Sequence, residues 1–175
     1  VGFFVSFVYA SIVSFISVYA ESLGLLKTAS YFFLVYAIAM LLIRPFSGRI
    51  FDKRGPHIVI IPSCIMFAIG LFSLSITQTP WMLLLSGALV GFGYGTLLPS
   101  FQTLAIQAAD KHRSGYATGT FFAFYDSGLA IGTASLGIIA VSLGYSNLYL
   151  VLAAMVLLIA VYYLWIMKGR IASAE

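Results

Sequence analysis

The sequence predicts an all-α integral membrane protein with six transmembrane helices. Hydrophobic residues make up 62% of the 175 residues and charged residues only 8%, whereas soluble domains carry about 25% charged residues. The apolar residues form continuous runs close to the roughly 20 residues that cross a bilayer as a helix. This composition excludes a soluble enzyme, a nucleic-acid-binding domain and a secreted disulfide-linked domain. The single cysteine, Cys64, can form no internal disulfide.

Six apolar segments are long enough to cross the membrane, and short polar breaks separate them. The segments are residues 1–20, 29–47, 57–76, 80–107, 115–142 and 146–167, with ends set to within a few residues. Pro56 and Pro80 stand where the first turn of a helix tolerates a missing N–H. Pro62 and Pro99 fall inside segments, where they predict kinks.

The basic residues indicate how the helices are oriented. Eight of the nine lysines and arginines fall on one side of the predicted membrane: Arg44, Arg49, Lys53, Arg54, Lys111, Arg113, Lys168 and Arg170. Only Lys27 falls on the other side. Because cytoplasmic loops carry the excess of basic residues, we expect the breaks at 48–56 and 108–114 and the C-terminus to be cytoplasmic.

The beginning of the chain predicts a piece of a longer protein. Residue 1 is Val and an apolar run starts at once, without the basic region that opens a signal peptide. The alternative is a complete small protein whose initiator methionine has been removed.

The break after the second segment carries the most distinctive motif. Residues 44–57 read RPFSGRIFDKRGPH. We expect Gly48 to allow close helix approach and Gly55 to allow a tight turn. Asp52 is expected near the N-terminus of the third helix, where the helix dipole favours a carboxylate. Arg44 either reaches the lipid headgroups or pairs with Asp52 in a charged loop that locks two helix ends together.

This motif resembles the Gly-x-x-x-Asp-Lys/Arg-x-Gly-x-Lys/Arg signature of the major facilitator superfamily, which joins the second and third helices of each six-helix half. The matching residues are Gly48, Asp52, Lys53 and Gly55. His57 stands where a basic residue is usual, and Pro56 replaces a residue that is often basic. The resemblance continues in the fourth segment, which reads G-x-x-x-G-x-G-x-G-x-x-x-P, and in GYATG at the start of the fifth.

The resemblance implies that residues 1–175 are the C-terminal half, a 3+3 inverted repeat, of a 12-helix transporter of the drug:proton antiporter type. Such a protein works by alternating access in the membrane, here expected to be a bacterial cytoplasmic membrane, as a proton-coupled multidrug efflux antiporter of small amphipathic molecules. Its partners would be a small-molecule substrate, protons, the lipid bilayer and the N-terminal six helices. No nucleic acid, cofactor or metal is expected.

Other functions remain open at this point. A sugar or metabolite carrier of the same superfamily, working by symport, is the nearest alternative, and the motif does not distinguish import from export. A channel, an intramembrane enzyme and a half-transporter that pairs with itself are alternatives of other kinds. The sequence shows no selectivity filter, no intramembrane nucleophile–base pair and no G-x-x-x-x-G-K-S/T nucleotide-binding loop.

Glycines in the fourth and fifth segments predict close helix packing. Gly87, Gly91 and Gly95 recur every four residues, and Gly128 and Gly132 form a second such pair. In lipid, this spacing lets two helices approach backbone to backbone. We expect these glycines to pack helices rather than to contact a substrate.

Asp126 is the candidate for proton coupling. It lies eleven residues past Gly115, so a helical rise places it roughly 16 Å into the membrane. A carboxylate at that depth costs about 2.5–3.5 kcal/mol on insertion scales, and such a residue is usually functional. A structural ion pair and contact with a cationic substrate are the alternatives. Glu21 and Asp110 stand only at segment ends.

Several residues are candidates for lining a cavity. The resemblance places the first, second, fourth and fifth helices around the cavity and the third and sixth toward lipid. The candidates on the cavity helices are Ser14, Tyr36, Tyr94, Gln102, Phe122 and Tyr125. Together with Phe4, Tyr9 and Phe121, these aromatic residues predict an apolar pocket that tolerates cations. The alternative for each is packing against lipid or a neighbouring helix.

Overall fold

The computed structural model describes residues 1–172, apart from the side chains of Lys111 and of residues 167–172. The six helices are α1 (Gly2–Ser22), α2 (Leu26–Arg54), α3 (His57–Ser75), α4 (Pro80–Gln107), α5 (Ser114–Leu143) and α6 (Tyr145–Ala172). All six are long and apolar enough to cross a membrane, and the described residues contain no strand. The predicted fold class is therefore confirmed. The side chains of Lys168 and Arg170, which support the predicted orientation, lie outside the described residues.

The second helix is longer than the sequence predicted. It continues through Pro45 to Arg54 and ends only at Gly55, whose φ of 89° breaks the helix. The predicted loop at 48–56 is therefore wrong. Asp52 lies in the last turns of α2 and not near the N-terminus of α3. The extension is favoured because Lys53 and Arg54 stand in the last turn, where the helix dipole favours cations.

Gly48 does not mediate a close helix contact within this chain. A Cβ added at this position would meet no atom within 4 Å. Gly48 lies on the exposed side of α2. The prediction that another helix approaches closely at Gly48 is therefore wrong within the described part of the chain.

Two equivalent turns fit a repeat of α1–α3 in α4–α6. Gly55 follows α2 and Gly144 follows α5, with φ values of 89° and 76° that favour glycine. The N–H of each donates to a carbonyl four residues earlier, Phe51 O and Ala140 O, over 3.0 Å in both cases. The second helix of each three-helix unit therefore ends in the same way.

Helix contacts follow the same repeat. α2 packs along α4, α1 packs along α5, and α3 packs against α6 and α4. The first two pairs exchange if α1–α3 are matched with α4–α6 in chain order, whereas the close packing of α3 on α4 has only a weak counterpart between α6 and α1. α1 and α4 lie in the middle of the bundle, while α2 and α5 leave most of their surface uncovered. The six helices thus form three layers, with α2 and α5 at the front and α3 and α6 at the back.

Glycines bring α4 against the backbone of α2. A Cβ added at Gly91 would lie 2.5 Å from the carbonyl oxygen of Tyr36, and one at Gly87 would lie 3.1 Å from that of Phe32. At Gly95 the nearest atom would be Cγ of Met40, at 2.7 Å. A side chain at Gly91 would force the backbone of α2 to move, whereas Gly87 and Gly95 leave slightly more room.

Gly128 and Gly132 likewise allow α5 to pack closely against the backbone of α1. A Cβ at Gly132 would lie 2.6 Å from the carbonyl oxygen of Phe7, and one at Gly128 would collide with Ser6 Oγ and the Phe3 carbonyl. The two crossings related by the repeat therefore both depend on glycine. Small residues are the means by which membrane helices pack closely, because lipid supplies no hydrophobic drive for association.

We expect Gly91→Ala to destabilise the bundle and Gly48→Ala to be tolerated. The added methyl at Gly91 meets backbone of α2, and overpacking of this kind costs about 1–3 kcal/mol. The methyl at Gly48 meets nothing, and alanine is the better helix former by up to about 1 kcal/mol. Thermal unfolding of the full-length protein in detergent measures both. Equal losses at the two positions would contradict the assigned crossing.

Candidate functional site

Three tyrosines from three helices meet in the middle of the bundle. Tyr9 of α1 stacks on Tyr94 of α4, with ring centroids 3.7 Å apart and planes 10° from parallel. The ring of Tyr36 on α2 also lies near Tyr9, with 6.3 Å between the centroids. The Tyr36 hydroxyl donates to the Tyr9 hydroxyl over 3.1 Å. We call these three residues the tyrosine cluster.

The hydroxyl of Tyr94 has no partner among the described residues. Tyr94 is only 2% exposed, and its buried oxygen makes no hydrogen bond there. Its ring also packs against Phe67 of α3, at 5.7 Å between centroids. An unsatisfied buried hydroxyl costs about 1–3 kcal/mol, so this oxygen is a free bonding position inside an otherwise aromatic environment. Tyr94 lies inside the bundle and not on an open cavity wall.

A second aromatic group lies on α5 beside the crossing with α1. The ring of Tyr125 stacks with Phe121 at 6.0 Å and meets Phe122 edge-on at 6.3 Å between centroids. The backbone carbonyl of Tyr125 accepts a hydrogen bond of 2.7 Å from Ser6 Oγ. Tyr125 is buried, whereas Phe121 and Phe122 are half-buried. The α1–α5 crossing therefore fixes the position of this group.

Asp126 follows directly on α5 and points away from the bundle core. Its side chain is exposed, twelve residues into a helix that begins at Ser114. Among the described side chains it has no hydrogen-bond or ion-pair partner. The structural ion pair considered from the sequence is therefore not formed within the described part of the chain.

A hydroxyl pair continues the Asp126 face of α5. Ser14 Oγ of α1 and Thr133 Oγ1 of α5 are 3.1 Å apart. Thr133 stands seven residues after Asp126, so both share one side of the helix. Sequence reasoning missed Thr133, although the seven-residue spacing from Asp126 was a signal that could have identified it.

A separate cavity of about 370 Å³ lies between α2 and α4 at the basic end of the bundle. Its polar lining includes Arg44, Asp52, Gln102 and Thr103. Arg44 and Asp52 are eight residues apart on α2, or about 12 Å along the axis. An Arg44 Nη2 hydrogen bond goes instead to Met40 Sδ, over 3.4 Å. The two charges therefore share a cavity without forming the ion pair that was one of the two alternatives for Arg44.

The structure brings the candidate residues together in three places. Tyr36 and Tyr94 join Tyr9 in the core, Phe122 and Tyr125 lie beside Asp126 on α5, and Gln102 lines the cavity with Arg44. All of these residues come from α1, α2, α4 and α5. Within the described residues, no group of three or more His, Cys, Asp or Glu side chains could hold a metal ion.

The sequence of this chain is similar to those of known proteins. A family model described as Major Facilitator Superfamily matches residues 1–174. The chain is 34% identical over 128 residues to the multidrug resistance protein MdtG of Salmonella schwarzengrund (strain CVM19633). It is 33% identical over 128 residues to the protein of the same name from Salmonella arizonae. Each alignment covers 73% of this chain and 32% of the relative, so the matched part is about a third of those proteins.

We expect Tyr94→Phe and Tyr36→Phe to differ in their effect on stability. Tyr94→Phe removes a buried hydroxyl that has no protein partner, so the free energy of unfolding should be unchanged or higher. Tyr36→Phe removes the hydrogen bond to Tyr9 and should cost about 1 kcal/mol. Thermal unfolding in detergent compares the two. A loss at Tyr94 as large as that at Tyr36 would mean that the Tyr94 hydroxyl is already bonded.

Proposed function

The chain belongs to the Major Facilitator Superfamily, and from this premise we propose that it is the C-terminal six-helix half of a secondary active transporter that exports small amphipathic molecules in exchange for protons. The match to the family model over residues 1–174 supports the first part of the proposal. The name of the relatives, multidrug resistance protein, supports drug-like molecules as the substrate class. The proposed activity moves a substrate across the membrane without changing it chemically.

One observation carries the proton-coupling part of the proposal. Asp126 is a carboxylate in the middle of a membrane-spanning helix, exposed and without a partner in the described residues. A charged side chain at that depth costs about 2.5–3.5 kcal/mol on insertion scales. Protonation removes the charge and with it this cost. Whether Asp126 holds a proton therefore determines how readily its face of α5 can be closed off from water.

The aromatic groups suit an amphipathic substrate. Tyr36, Tyr94 and Tyr125 are buried, but the half-buried rings of Tyr9, Phe121 and Phe122 beside them offer apolar surface, and aromatic faces attract organic cations. This combination selects by size, apolar surface and charge rather than by a fixed set of hydrogen bonds, as the export of varied drug-like molecules requires.

Alternating access requires a second half for this bundle to move against. The uncovered fronts of α2 and α5 are where we place an N-terminal six-helix half. We propose Arg44, Gly48, Asp52, Lys53 and Gly55 as the gating motif. Of these, Arg44 and Asp52 line the cavity between α2 and α4 and would contact that half at the basic end. We assign the basic end and the C-terminus to the cytoplasmic side, following the distribution of lysine and arginine.

Asp126→Asn tests the proposal. The variant should still bind a fluorescent lipophilic cation, because the amide keeps the size of the side chain. Substrate-driven proton movement should fall at least about tenfold, because the variant lacks the group that transfers the proton. The measurement is dissipation of an imposed pH gradient, followed with a pH-sensitive dye in inverted vesicles that contain the full-length protein.

Asp110→Asn is the matched control. Asp110 is also exposed, but it lies in the turn before α5 and not within the span. This variant should exchange protons at the native rate. Proton exchange by Asp126→Asn at the native rate would instead remove Asp126 from the coupling role.

A further inference from the structure

A second groove, distinct from the proposed transport path, opens on the opposite side of α2. It has a volume of about 360 Å³ and lies between α2 and α3, with α4 at its back. Its outer walls are Phe46 and Ile50 of α2 and Ile58, Pro62 and Met66 of α3. Phe46 is 61% exposed and Ile58 is 51% exposed. The groove therefore presents a continuous apolar surface at the outside of the bundle.

The floor of the groove offers a ligand no free hydrogen-bond donor. Its polar residues are Ser47, Ser63 and Thr96, one from each helix. Each hydroxyl already donates to a carbonyl of its own helix: Ser47 to Arg44 O at 3.1 Å, Ser63 to Val59 O at 2.7 Å and Thr96 to Phe92 O at 3.3 Å. The groove therefore favours a hydrocarbon chain over a polar molecule.

The groove ends at two positive charges. Lys53 and Arg54 follow Ile50 by three and four residues, which places them one turn further along the same side of α2. Both are exposed. Asp52, the acidic residue beside them, lines the cavity on the other side of the helix. One end of an apolar groove is thus positively charged.

We propose that this groove binds one anionic phospholipid, with an acyl chain between α2 and α3 and the phosphate at Lys53 and Arg54. From Ile58 to Met66 the α3 wall is eight residues long, or about 12 Å, which accommodates much of one acyl chain. Basic residues near a membrane surface each favour anionic lipid by about fivefold. The bound lipid would hold the α2–α3 turn beside the gating motif.

A second apolar groove on the same molecule separates the contribution of the acyl chain from that of the charged headgroup. Between α3 and α6 lies an apolar groove of about 300 Å³, with Ile69, Phe72 and Leu157 among its lining residues. The sequence carries no charged residue from 65 to 80 or from 144 to 157. This groove should accept acyl chains without preference for the headgroup.

The test counts lipids bound to the full-length protein. Detergent-solubilised protein is titrated with phosphatidylglycerol or phosphatidylcholine that carry identical acyl chains, and bound lipids are counted by native mass spectrometry. The native protein should retain one phosphatidylglycerol in preference to phosphatidylcholine. The double variant Lys53→Gln/Arg54→Gln should lose about fivefold of that preference per charge, and Ile58→Trp, which fills the groove, should lose the bound lipid.

Two controls make the result specific. Arg113→Gln removes an exposed charge from the same end of the bundle, and Ile69→Trp fills the groove between α3 and α6. Both should leave the preference for phosphatidylglycerol unchanged. The proposal is overturned if the native protein shows no such preference, if the double variant keeps it, or if Arg113→Gln loses it equally. If the double variant does not fold, Arg54→Gln should still lose part of the preference for phosphatidylglycerol and Ile58→Trp should still lose the bound lipid. Native behaviour of both variants overturns the proposal.

Discussion

Two helix crossings at which a glycine touches the backbone of its neighbour hold this bundle together. Gly91 lies against the Tyr36 carbonyl where α4 meets α2, and Gly132 lies against the Phe7 carbonyl where α5 meets α1. Lipid is as apolar as leucine, so burying hydrocarbon does not hold these helices together, and close van der Waals packing must do so. Each crossing can be this close only because a residue without a side chain stands there.

The crossings also position the functional groups. Tyr94 follows Gly91 by three residues and Tyr125 precedes Gly128 by three, so each tyrosine lies about one turn from a glycine contact. At the first crossing this places Tyr94 on Tyr9. At the second it turns the next residue, Asp126, outward. The same glycines that hold the bundle together therefore set both the buried aromatic cluster and the open carboxylate.

Much of this arrangement could be predicted from the sequence, and the reasons for the exceptions are physical. Continuous apolar runs predicted all six helices, because only a helix satisfies its own backbone in lipid. The end of α2 was misplaced because the polar residues after Ser47 were taken for a loop. The helix continues through them and ends only where Gly55 adopts a positive φ. The stacking of Tyr9 on Tyr94 depends on how α1 lies against α4, which no local sequence pattern encodes.

In the proposed mechanism the Asp126 face of α5 is open to water within the membrane. Cysteine labelling of the full-length protein tests it, with Cys64, which is buried, replaced by serine. Thr133→Cys lies on that face, whereas Ile131→Cys lies at similar depth on another exposed side. A membrane-impermeant maleimide should label Thr133→Cys and not Ile131→Cys. If neither cysteine is labelled, the Asp126 face of α5 is not open to water.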